Sequence, residues 1–142
     1  MGRSDLVLGG MLLGVAGWAA ENVTSDEPRY SALFKGAHVP FLPVYAFGGG
    51  AFLALSPRLR DLPWYARAAA YAAVGSAVEY AGCVIDRRAL GACSWDYSGN
   101  ACSRPGAGCV DFEHAALWGM LGLLVERLQS EETTWRGPRS TT

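Results

Sequence analysis

The chain has 142 residues, the length of one domain. Lys and Arg (12) nearly balance Asp and Glu (13), and a net charge of −1 excludes a surface built to grip a polyanion such as nucleic acid. Hydrophobic residues make up 51% and charged residues only 18%, against about 25% in soluble domains.

Four apolar runs follow one another. The first, residues 6–20, reads LVLGGMLLGVAGWAA. Gly10, Gly14, Gly17 and Glu21 step by four, three and four, so on a helix they share one face. GMLLG within it is a G-x-x-x-G match, the pattern that lets helices approach closely in lipid. A cleaved signal peptide is the competing reading, with Arg3 ahead of the run and Gly17 and Ala19 at the cleavage site. The glycine face favours a retained helix. Asn22, Val23 and Thr24 fit the short glycosylation sequon.

The second run, residues 39–56, reads VPFLPVYAFGGGAFLALS. Its FGGGAF stretch reads as a packing notch or kink inside a helix, not as a phosphate cradle. The third, residues 64–85, alone has the full spanning length of about 20 residues. Ala68, Ala72, Gly75, Glu79 and Gly82 repeat the small-residue face and again carry a glutamate towards the C-terminal end. Glu79 lies six residues before Ile85, about 9 Å along the axis. The fourth run, residues 112–125, reads FEHAALWGMLGLLV.

Continuous apolar runs without a polar face argue against a soluble helical bundle. The expected fold is an all-α membrane protein. Four transmembrane helices form a bundle, with a Cys-rich outer loop between the third and fourth. A polytopic transmembrane domain covers residues 1–128, and residues 129–142 form a polar, disordered cytoplasmic tail. Four spans place both termini on one side with Arg3, Arg58, Arg60, Arg67, Arg127, Arg136 and Arg139. Arg29, Lys35, Arg87, Arg88 and Arg104 fall on the other. Seven against five points to cytoplasmic termini.

The cysteines agree with that orientation. Cys93, Cys102 and Cys109 fall in the third loop and Cys83 at the end of the third helix, and disulfides persist in oxidising compartments. Four cysteines permit three full pairings. Cys102 with Cys109, or Cys93 with Cys109, would each close a short loop. No C-x-x-C occurs, so structural disulfides are expected rather than thiol exchange.

An acid deep in a span is costly and usually carries function. Glu21, Glu79, Asp96 and His114 could converge in one outward-facing cavity, with Trp95 and Tyr97 at its rim. The bland reading of Glu21 is a solvated helix end. His38 and His114 with the acids lack metal-ligand spacing, and no metal or other cofactor is expected. Nucleotide-binding and hydrolase motifs are absent.

Several features fall in a recognisable order: GWAAE at 17–21, FKG at 34–36, PVYAFG at 43–48, EY at 79–80, WDYS at 95–98 and WG at 118–119. Together they resemble the CmpB-like ABC-transporter type IV permease family, which also includes small eukaryotic membrane proteins of the transmembrane 229 type. The resemblance runs from about residue 14 to 127, and WDYS is its most specific piece. The first loop departs from it, with YSALFKGAHVP where relatives show Asn-Arg-Gly-Phe before Gly-Pro, and the third loop is richer in Cys. The resemblance implies a polytopic membrane protein, and the expected location is the cell inner membrane. The expected role is transport-related, as a permease-like subunit or small carrier in a homo-oligomer or larger complex. Its partners are the lipid bilayer and a separate ATPase chain. The alternatives are a small membrane enzyme acting on a lipid or quinone, with Glu79, Asp96 and His114 as acid or base groups, and a non-catalytic scaffold or sensor.

Overall fold

The computed structural model describes residues 3–24, 42–99 and 108–135. His38, Cys102, the FKG stretch and residues 136–142 lie outside them. Among the described residues there are four helices and no strand. These are α1 (Arg3–Thr24), α2 (Pro43–Leu59), α3 (Trp64–Leu90) and α4 (Phe112–Trp135). Ser4–Val23 and Trp64–Leu90 are long and apolar enough to cross a membrane.

The helix ends follow local chemistry. Pro43 opens α2, where a missing N–H costs nothing, so the helix begins four residues later than the apolar run. Gly91 ends α3 at φ 79°, and its N–H reaches the Arg87 carbonyl at 3.1 Å. This left-handed cap turns the chain back towards α3. The fourth helix continues past residue 128 to Trp135. Glu126, Arg127, Leu128 and Gln129 are good helix formers, so the polar stretch starts as helix.

Two hairpins make the bundle. The first helix packs on α2 alone, α4 packs chiefly on α3, and α2 joins the two pairs. Gly10, Gly14 and Gly17 are buried, as their shared face requires, and the Tyr45 ring lies on Gly17. The outward surface is apolar instead. Val7, Leu8, Met11 and Leu12 on α1 and Leu117, Met120, Leu124 and Leu128 on α4 are all more than half exposed. Small residues and rings inside with leucines outside is the packing expected where lipid is the solvent.

Trp118 is the hub. Its indole is 4% exposed, and it packs against Tyr45 with centroids 5.2 Å apart and Phe52 at 5.7 Å. Phe52 in turn meets Tyr71 edge-on at 5.1 Å. Trp118 fits because Gly48 on α2 and Gly75 on α3 leave room for it. A Cβ at Gly48 would lie 2.9 Å from the ring, and one at Gly75 would collide with it. The glycine run of α2 is therefore a packing notch.

At the end holding the α3 N-terminus, the Tyr71 hydroxyl donates to Glu126 Oε2 at 3.0 Å. The Arg67 Nε lies 3.4 Å from the same oxygen. This carboxylate has its cation.

Candidate functional site

The opposite end of the bundle carries the C-terminal parts of α1 and α3 and the N-terminal parts of α2 and α4. Because α1 does not approach α3, a cleft of about 400 Å³ opens between them. Glu21 and Glu79 both line it: Glu21 sits in the last turn of α1, and Glu79 about three turns before the end of α3. Tyr45 and Phe47 of α2 and Trp95 and Tyr97 of the α3–α4 loop complete its walls.

Each glutamate carries a tyrosine. The Tyr45 hydroxyl donates to Glu21 Oε1 at 2.8 Å, and the Tyr97 hydroxyl donates to Glu79 Oε1 at 3.0 Å. Glu79 is 5% exposed, and its Oε2 is buried with no hydrogen-bond partner. The Trp118 indole, His114 and Asp111 act on this carboxylate from the α4 side without satisfying that oxygen. Burial, and then the neighbouring Glu79 charge, push the Tyr97 phenol well above its ordinary value. Tyr97 therefore stays a donor.

The loop is held in place at several points. Cys83 and Cys93 form a disulfide with Cα atoms 4.9 Å apart. Ser94 hydrogen-bonds Asp86 through its backbone N–H at 3.2 Å and through its hydroxyl. The Trp95 indole donates to the Cys109 carbonyl at 2.9 Å, and its ring edge covers Gly82. The Tyr97 N–H reaches the Gly108 carbonyl at 2.9 Å. Gly108 adopts φ 82° beside Asp96, a left-handed conformation in which a side chain would collide with that carboxylate.

Two expectations need correction. Cys93 pairs with Cys83, not with Cys109, because the Gly91 cap folds the loop back onto α3; Cys109 is buried and in no disulfide. Cys102 lies outside the described residues. Asp96 does not line the cleft. Its carboxylate accepts the Ser98 N–H at 2.9 Å on the exposed face of the loop, and that bond holds it below the usual carboxylate range. His114 reaches the cleft only indirectly, stacked on Tyr97 with centroids 4.1 Å apart.

Asp111 was missing from the sequence reading. It caps α4: its Oδ1 accepts the His114 N–H at 2.7 Å and contacts His114 Nδ1 at 2.8 Å. One carboxylate thus starts the helix and orients the ring that backs Tyr97. Its signature is an Asp three residues before a His at the edge of an apolar run. Asp111→Ala should cost about 0.5–2 kcal/mol, and Asp111→Asn, itself a good cap, should recover most of it. Unfolding of the purified variants checks this; equal losses for both would mean that capping is not the role of Asp111.

These features define a helical membrane protein with a cleft between two hairpins, apolar and aromatic in most of its lining. The family model described as "Putative ABC-transporter type IV" matches residues 11–135, and the chain belongs to this CmpB family. It is a membrane protein related to ABC transporters. No curated protein and no solved structure matches it.

Proposed function

We propose that the chain is a permease-like subunit or small carrier whose cleft is an outward-facing ligand site. All four helices span the inner membrane, both termini are cytoplasmic, and the Cys-rich loop lies outside. The observation that carries this reading is Glu79: a carboxylate buried in an apolar helix, facing a cleft, with one oxygen unsatisfied. Such a group costs stability, and acids inside apolar spans mark substrate or ion sites. The alternating helix directions, the apolar outer surface and the loop disulfide support the topology. One copy is too small to enclose a pathway, so the working unit is a homo-oligomer or larger complex, and any ATPase is a separate chain.

The enzyme reading gains less support. His114 is the natural acid–base group, but it lies behind Tyr97 and is held by Asp111.

Cysteine labelling tests the topology. A cysteine at Gly99 should react with an impermeant maleimide in intact cells, while one at Asp61 should react only after lysis. The reverse pattern would refute the orientation. For transport, proteoliposomes carrying the complex purified from its native membrane should accumulate solute, and Glu79→Gln should reduce uptake at least tenfold. Uptake indifferent to Glu79 would remove the cleft from the pathway.

A further inference from the structure

The cleft also has a chemistry, and the geometry points to its ligand: a small organic monocation, an amine or quaternary ammonium with an apolar body. This rests on the reading of the cleft as a ligand site and names what it takes. Three carboxylates line the cleft, Glu21, Glu79 and Asp86, and no Lys or Arg does among the described residues. An anion would meet uncompensated repulsion there. A neutral ligand could fill the volume but would leave Glu79 buried without a counter-charge.

The contrast with the other end of the bundle sharpens this. Glu126 carries a tyrosine hydroxyl and an Arg67 guanidinium. Glu79 carries a tyrosine hydroxyl and has no Lys or Arg ion partner among the described residues. Among the described residues, the ionisable base that acts on it, His114, is bound to Asp111. Its Oε2 stays buried and unpartnered at the cleft wall. A buried carboxylate of this kind is relieved by a proton or by an opposite charge delivered to it, and the cleft wall is built to receive the second.

The rest of the wall fits an organic rather than an inorganic cation. Among the described residues no three His, Cys, Asp or Glu side chains gather as metal ligands would. Tyr45, Phe47, Trp95 and Tyr97 present rings instead. Aromatic faces attract ammonium groups, most strongly where water is excluded. The volume, about 400 Å³, is that of a small-molecule site.

The probe is benzyltrimethylammonium, with its uncharged carbon isostere neopentylbenzene and the anion benzenesulfonate beside it. Binding to the full-length protein in maltoside micelles is measured by equilibrium dialysis against empty micelles. The cation should bind saturably, at least tenfold more tightly than the isostere, and the anion should not bind. Glu79→Gln should weaken the cation at least tenfold and leave the isostere unchanged. Glu21→Gln, nearer the surface, should weaken it at least threefold and serves if Glu79→Gln does not fold. Equal binding of cation and isostere, insensitive to both substitutions, would overturn the cation assignment and leave the cleft as a ligand site. Tighter binding of the anion would do the same. No saturable binding of any probe would overturn the assignment together with the reading of the cleft.

Discussion

Trp118→Ala is expected to cost about 3 kcal/mol, the lower end of the range for removing a buried Trp. The lower end applies because, where lipid replaces water as the solvent, the transfer term shrinks and lost packing remains. Trp118 touches α2 through Gly48, Tyr45 and Phe52 and α3 through Gly75, so its loss loosens the joint between the two hairpins. Gly75→Leu attacks the same contact from the other side. Its side chain would occupy the indole's place, at a cost of about 1–3 kcal/mol for overpacking. The double variant provides the sharper test. With the indole gone, leucine fills part of the space, and the combined cost should fall short of the sum by more than about 0.5 kcal/mol. Reversible unfolding of purified protein measures all three. Strict additivity would show that Trp118 does not rest on Gly75.

That contact explains why some of the molecule was readable and some was not. The small-residue faces of α1 and α3 followed from spacing alone, because on a helix period and face are the same information. Gly17 and Gly75 are buried on those faces. What they receive, Tyr45 and Trp118, comes from distant elements, and no local pattern names a partner across 28 or 43 residues. Glu79 stood out because an acid inside an apolar run is rare. Its partner Tyr97 was placed at the same end, but the hydrogen bond depends on where the loop folds. The loop is where sequence reasoning failed. Counting spacings among Cys93, Cys102 and Cys109 treats the loop as a separate unit. Gly91 reverses the chain at the end of α3 and brings Cys93 back beside Cys83. The same reversal turns Asp96 outward while Trp95 and Tyr97 face the cleft. WDYS therefore works as an alternation, with its two rings inward and its acid outward.

The disulfide holds that arrangement, and its removal gives the second large effect. Closing a loop of ten residues is worth about 2–3 kcal/mol in the chain-entropy account. Replacing both Cys83 and Cys93 by Ser should lower stability by about that amount. Replacing one alone would invite the remaining thiol to pair with Cys109, so the double variant is the informative one. The damage should be local. Ser94 on Asp86, Trp95 on the Cys109 carbonyl and Tyr97 on Glu79 all lie just beyond Cys93, and each depends on the loop being held against α3. Hydrogen exchange should therefore rise over residues 92–99 and in the first turn of α4, where His114 loses the ring it stacks on. Exchange over residues 48–56, buried against α1 and Trp118, should not change. Unchanged exchange over residues 92–99 would mean that the hydrogen bonds hold the loop without the covalent link. A rise over the loop and the first turn of α4 would instead make the disulfide the support for Tyr97 and, through it, for Glu79, whose second oxygen is left without a partner.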